Sequence, residues 1–390
     1  MLERAKYLLQ PSIRSAVPPF MVMDVVAAAS RLESQGRRII HMEVGQPAAG
    51  APATAIAAAR AALSSPLGYT ETLGLPSLRR RIARAYAEWH GLDIDPDRIV
   101  VTTGSSAGFI ISFLAVFDVG DRVALALPGY PPYRHILTAL GCEPVEIETS
   151  AATRWSIDSE TLLVHHRAKR LSGVIVGSPA NPSGTMMTAR ALAEFIACAR
   201  DAGIAVISDE IYHGLDYAFA AECAARLSSD VIVINSFSKY FCMTGWRIGW
   251  MVVPPTLVRA VERLQQNLAI SVPTLSQIAA EAAFDARAEL DEVRRGYEEN
   301  RSILLDGLPK VGLDSFLPAD GAFYLYADIS RFSGDSFAFA KRMLEEAGVA
   351  ATPGVDFDPV RGKNFLRLCY AGAQDDMREA VARIGNWLRK

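Results

Sequence analysis

The sequence predicts an α/β fold in which a largely parallel sheet carries helices on both faces. Short apolar runs rich in β-branched residues recur from about residue 98, longer helical patterns separate them, and turns bearing Gly, Ser or Asn follow several of the runs. At 390 residues, 50% hydrophobic and 21% charged, the chain has enough apolar material for two packed cores.

In chain order, Ile99 to Val101, Val123 to Leu127, Val174 to Val176, Ala205 to Ile207 and Val231 to Ile234 read as buried strands, with helical stretches such as Ala189 to Arg200 between them. The alanine-rich segments Ala27 to Ala29 and Ala57 to Ala62 read as helix. After Pro273 a long helical pattern passes through Ala279, Ala282 and Val293. The texture then changes, and Gly321 to Ala327 and Asn364 to Leu368 read as strands separated by a helix over Phe337 to Glu346. A second, α+β domain is therefore expected to begin near residue 290. The expected division is a large domain over 46–289 and a small domain made of 1–45 and 290–390.

The net charge of −3 and the scatter of Lys and Arg offer no tract suited to a phosphate backbone, so nucleic acid is not an expected partner. The first twenty residues are broken by charge and proline, unlike the apolar core of a signal peptide, and no run of about 18 apolar residues follows. A cytoplasmic location without membrane attachment is expected. The five cysteines (Cys142, Cys198, Cys223, Cys242 and Cys369) lack paired metal-ligand spacing and read as reduced thiols. The six histidines give no metal site: His165 and His166 are adjacent, and His90 and His135 have no companion nearby.

The chemistry concentrates after the run Val231 to Ile234, in Asn235-Ser-Phe-Ser-Lys-Tyr-Phe-Cys-Met-Thr-Gly-Trp-Arg-Ile-Gly-Trp250. A lysine at the C-terminal end of a strand points into the crevice where open α/β sheets bind ligands, and its amine can form a Schiff base with an aldehyde cofactor. A lone lysine would read as a solvated surface group. Lys239, flanked by Ser236 and Ser238 and followed by Arg247, has instead the hydroxyls and guanidinium that suit a phosphate dianion.

Other candidates also follow strands. Asp209, in Ser-Asp-Glu-Ile-Tyr, by itself suits a helix N-cap, and Asn181, in Ser-Pro-Ala-Asn-Pro-Ser-Gly-Thr, suits a turn. Thr102-Thr-Gly-Ser-Ser-Ala-Gly108 ends a strand and opens a helix, so backbone N–H groups near Ser105, Ser106 and Ala107 should face an anion. Tyr130, in Pro128-Gly-Tyr-Pro-Pro-Tyr133, suits a core or turn position. Arg367 stands in the apolar run Asn-Phe-Leu-Arg-Leu-Cys-Tyr, where burial without an anionic partner would be costly.

Taken in order, these segments resemble the class I/II aminotransferases, the fold-type I enzymes that use pyridoxal 5'-phosphate (PLP), over nearly the whole chain from Gly45 to Arg367. The resemblance implies a mostly parallel seven-stranded sheet between helices, plus a smaller α+β domain. It implies PLP held on Lys239 as a Schiff base, with Asp209 pairing the pyridine nitrogen and Asn181 and Tyr212 bonding the phenolic oxygen. Tyr130 would stack on the ring, and Ser105, Ser106, Ala107, Ser236, Ser238 and Arg247 would surround the phosphate. The family often carries Gly or Gln in the loop where Ser105 and Ser106 stand, so the serine hydroxyls here are a departure. Arg367 would clamp the substrate α-carboxylate beside Asn181 and the backbone of Gly45. Tyr69 would reach the phosphate of a neighbouring subunit, which implies a homodimer with shared active sites.

The implied activity is ping-pong transfer of an amino group from a small L-amino acid to a 2-oxo acid. A C–S β-lyase on the same fold is the alternative, and an aminotransferase-like ligand-sensing module is a more distant one. The segment Gln266 to Ser276, where some family members carry an arginine that reads the substrate side chain, contains no Lys or Arg, and the strip Val17 to Val22 is apolar. The expected donor is therefore a neutral small or apolar amino acid such as alanine, methionine or an aromatic one.

Overall fold

The structure, a computed structural model, describes residues 9–390. Its strands in chain order are β1 (Ile40–Met42), β2 (Ile99–Thr102), β3 (Arg122–Leu127), β4 (Glu143–Glu148), β5 (Gly173–Gly177), β6 (Ala205–Asp209), β7 (Ile232–Ser236), β8 (Gly249–Val252), β9 (Tyr324–Asp328), β10 (Val349–Pro353) and β11 (Phe365–Cys369). Among the described residues, one sheet has seven strands in the order β2-β8-β7-β6-β5-β3-β4, and a second has four in the order β1-β10-β11-β9. In the larger sheet β8 runs antiparallel to β2 and β7, and the other pairings are parallel. No helix among the described residues is long and apolar enough to cross a membrane.

Burial explains why these runs became central strands. In β7, Ile232 and Ile234 enter one apolar cluster and Val233 the other, and in β5 Ile175 parts from Val174 and Val176 in the same way. Because helices cover both faces, the runs Val174 to Val176 and Ile232 to Ile234 are continuously apolar, and polar residues enter β7 only at its end, with Asn235 and Ser236. Helix Gly104–Val116 covers one face through Phe109, Ile111 and Phe113, and helix Ala189–Asp201 packs into the opposite cluster through Leu192, Phe195 and Ile196. Full burial of a side chain such as Phe195 contributes about 1.5–3 kcal/mol from transfer out of water.

The parallel order has a consequence for function. The C-terminal ends of β2, β3, β5, β6 and β7 all lie along one edge of the sheet. Loops leaving that edge share one crevice.

The structure departs from the sequence reading in several places. Strands β1, β4, β8 and β10 are not anticipated. β4 reads Glu-Pro-Val-Glu-Ile-Glu, an edge strand with charged residues on its open face, and β10 reads Val-Ala-Ala-Thr-Pro, whose alanines favour helix in isolation but are buried here on all sides. The strand expected from Gly321 starts at Tyr324, because the N–H groups of Asp320 and Gly321 donate to the Gly184 carbonyl and that of Ala322 to Leu215. The long helical pattern after Pro273 is three pieces: helix Thr274–Ala283, a tight turn Phe284–Ala286 and helix Arg287–Lys310. Phe284 anchors that turn by packing on Trp89, Phe237 and Phe241, which periodicity along the chain cannot reveal.

Candidate active site

A cavity of about 230 Å³ opens along the edge where the parallel strands end. Each strand contributes through the loop that follows it. Ser105 and Ser106 come after β2, Tyr130 after β3, Asn181 after β5, Asp209 and Tyr212 from the end of β6, and Ser238, Lys239 and Arg247 after β7. Gly45, beyond β1, and Arg367, on β11, enter from the smaller sheet. Three expected residues do not line this cavity. Ala107 lies in the first turn of helix Gly104–Val116, Ser236 uses its hydroxyl to accept the Ser238 N–H at 3.0 Å, and Tyr69 is 82% exposed.

Desolvation governs the two reactive-looking charges. Asp209 is buried at the end of β6, where it accepts hydrogen bonds from the Tyr133 phenol and from the Ile211 N–H at 3.1 Å. Burial pushes its carboxyl up to about 6, opposed by those donors and by Lys239. The Lys239 Nζ donates to the Gly45 carbonyl at 2.6 Å, and burial lowers the amine to about 8, with Arg367 and Arg247 adding repulsion and Asp209 opposing it. Both groups are thus drawn towards neutrality from opposite sides, the amine into the range where its nucleophilic form is accessible.

Arg367 presents a different problem. Its side chain is 2% exposed, yet the atoms it bonds are the Asn181 Oδ1 at 3.0 Å, the Thr352 Oγ1 at 3.1 Å and the Glu43 carbonyl, none of them a carboxylate. The guanidinium lies between the Tyr324 and Phe357 rings, 4.5 and 4.7 Å from their centroids, and its Nε has no partner. A buried cation with neutral partners is costly by several kcal/mol and is set to receive an anion from outside the chain.

At the opposite kind of end, the first turn of helix Gly104–Val116 presents Ser105 and Ser106 with Arg247 close by. Gly104 has φ +73°, and a Cβ there would meet the Arg247 guanidinium, so glycine serves both the turn and the approach. A helix N-terminus beside an arginine suits a phosphate. Ser106 and Arg247 are exposed, which leaves this end open to solvent in the single chain.

Two tyrosines are missed by the sequence reading. Tyr324 bonds the Tyr212 hydroxyl at 2.8 Å, and Tyr133 bonds Asp209. Tyr133 lies three residues beyond Tyr130 in helix Pro131–Leu140, a spacing that could have flagged it. Tyr324 carries no such signal, because its strand meets Tyr212 only through the fold. The rest of the wall is largely apolar and includes Phe20, Val22, Ile136, Trp155, Ile157 and Met187.

The comparisons with known proteins agree with this geometry. Residues 37–384 match the family model for aminotransferase class I and II. The chain belongs to that family. It is 50% identical over 383 residues, 97% of this chain and 98% of the other, to a protein of Mycobacterium tuberculosis named valine–pyruvate aminotransferase. An aminotransferase crystal structure from Mycobacterium tuberculosis superposes with a TM-score of 0.95 at 49% identity, covering 97% of this chain and 99% of that one. The Thermus thermophilus aspartate aminotransferase with maleate gives 0.91 at 31% identity, covering 97% and 100%.

In this aminotransferase Gly45 is also constrained by its own surroundings. A Cβ at Gly45 would run into the Tyr324 hydroxyl, so a neighbouring side chain requires the glycine. Gly45→Ala should displace Tyr324 and disturb both Lys239 and Tyr212, reducing transamination on the order of a hundredfold. Steady-state kinetics beside a thermal melt test this, the expected outcome being lost turnover in a folded protein.

Proposed function

We propose that this aminotransferase uses PLP held on Lys239 to move the amino group of a neutral, apolar L-amino acid, of which valine is the leading candidate, to pyruvate in a ping-pong cycle. The residues fit the cofactor: a buried carboxylate for a protonated ring nitrogen, an amine able to become neutral, and an anion site at a helix N-terminus. When bound, PLP supplies an aldehyde for amines and a ring that stores the electrons of a broken Cα–H bond.

Lys239 would hold the cofactor through Nζ, and its neutral amine would carry the proton from the substrate α-carbon. Asp209, kept in place by Tyr133, holds the proton on the ring nitrogen. Asn181 and Tyr212 would bond the phenolic oxygen, and Tyr130 would cover the ring. Ser105, Ser106, Ser238 and Arg247, which line the cavity, would form the phosphate end, with Ala107 and Ser236 behind them. Arg367 takes the substrate α-carboxylate with two parallel hydrogen bonds, beside Asn181 and Gly45.

One observation carries the substrate class. Among the described lining residues the cations are Lys239, Arg247 and Arg367, each already assigned, and the remaining wall is largely apolar. A second carboxylate on the donor would be buried unpaired, which disfavours it by several kcal/mol. The name of the 50%-identical Mycobacterium tuberculosis relative supports the same donor and acceptor. The open phosphate end and the exposed Tyr69 support a homodimer in which each chain completes the other's site. A cytoplasmic location accords with five free cysteines.

Four outcomes are expected. Borohydride should fix the cofactor to Lys239 but not to a Lys239→Ala chain, and a reduced adduct mapped to another lysine would overturn the assignment. The amine is protonated below about pH 8 and neutral above it, so covalent attachment to the cofactor-free chain should accelerate as pH rises through that value. Mixing inactive Tyr69→Ala with inactive Lys239→Ala chains should restore activity through heterodimers with one intact site; no recovery despite subunit exchange would refute the sharing. In a half-reaction screen, valine and other neutral apolar donors should exceed aspartate and glutamate in rate constant over dissociation constant by at least about tenfold, and the reverse order would refute the substrate class.

A further inference from the structure

Helix Met21–Ser34 begins with an anomaly. Its N-cap position is Phe20, a side chain with no oxygen to accept the first amides of the helix, and no side-chain cap bond is made from it. Phe20 instead lines the active-site cavity, edge-on to Tyr130 with centroids 6.1 Å apart, and Val22 and Met23 of the first turn line it too. The missing acceptor comes from 335 residues away: the two carboxylate oxygens of Asp356 accept the N–H groups of Met21 and Val22, each at 3.3 Å.

Asp356 belongs to a loop that several groups fix in place. The Asp356 carbonyl accepts from Arg134 at 2.5 Å and the Phe357 carbonyl from the Gly129 N–H at 3.1 Å, so the loop is bonded to the segment carrying Tyr130. Arg361 pairs with Asp358 and reaches the carbonyls of Leu127 and Thr149, each at 2.9 Å, at the ends of β3 and β4. The Phe357 ring lies against the Arg367 guanidinium. Neighbouring residues of one loop thus touch the arginine assigned to the substrate carboxylate and the segment that walls the cavity.

We infer that Asp356 is a specificity-determining positioning residue, which caps helix Met21–Ser34 from a distance and so holds Phe20 and Val22 against the donor side chain. The division of labour follows from chemistry. An ordinary Ser or Asp at position 20 would cap the helix but put a polar group in the apolar wall. Placing the acceptor on the Arg367 side of the site frees the capping position for an aromatic ring. This inference rests on the apolar-donor reading above for its kinetic consequence, but the structural link does not depend on the donor.

The test compares wild type with Asp356→Ala and Asp356→Asn in the purified, cofactor-loaded enzyme, with the same comparison repeated on cofactor-free protein. Amide hydrogen exchange over residues 20–25 should accelerate about fivefold to tenfold in Asp356→Ala, the scale of losing a cap, and less in Asp356→Asn, whose amide oxygen still accepts. The dissociation constant for valine should rise by about the same factor, with the limiting half-reaction rate within about twofold, while alanine, with less side chain to contact the wall, changes less. Unchanged exchange over 20–25 in both variants overturns the proposal, as does a fall in the limiting rate with binding intact. A wild-type preference for dicarboxylic donors, with exchange still accelerated in Asp356→Ala, would refute the donor reading and leave the cap standing. If Asp356→Ala does not fold, Asp356→Asn decides by the same two measurements.

Discussion

The arrangement depends on a buried guanidinium that the protein does not neutralise. Arg367 sits on β11 between two aromatic rings, bonded to an amide, a hydroxyl and a backbone carbonyl. Such an ion is tolerated only because its partners are fixed by both sheets. Glu43 and Thr352 belong to the ends of the small sheet, and Asn181 to a loop of the large one. The same bonds that satisfy the cation therefore join the two sheets at the crevice. The unmet part of its charge, with Nε unpartnered, is what the proposed role in binding the substrate carboxylate rests on.

Around that demand the other charges are tuned mainly by burial. Desolvation raises Asp209 and lowers Lys239, and each opposes the other's shift. Had the two been placed in water, both would be fully ionised at neutral pH and the lysine would be a poor nucleophile. The parallel sheet makes the placement possible, because five strand ends point the same way and their loops converge without any long-range insertion.

Family membership leaves the substrate open, since the proteins that this chain resembles include one named for aspartate and one named for valine and pyruvate. The difference must lie in the side-chain wall. Here that wall is formed by Phe20, Val22, Trp155, Ile157 and Met187, and part of it is delivered by a helix whose first turn is held from the far end of the chain. On the proposed reading, specificity rests on elements that carry none of the proposed cofactor chemistry. That separation is how one catalytic crevice can serve several amino acids.

The central strands and most of the candidate site were legible in the sequence because each rests on a local pattern. A strand buried on both faces must be continuously apolar, and a lysine directly after Ser236-Phe237-Ser238 with Arg247 behind it has few other readings. The edge strand β4, the alanine-rich β10 and the short β1 were not legible, since their strand character comes from neighbours distant in the chain. The same holds for Tyr133 on Asp209, Tyr324 against Gly45, and Asp356 at the head of helix Met21–Ser34. Sequence by itself determined which chemical groups are present and which strand end carries each, because those follow from composition and period. Tertiary structure alone decided how far each charge is desolvated and which remote side chain completes it, because both depend on contacts between residues that the chain separates by tens to hundreds of positions.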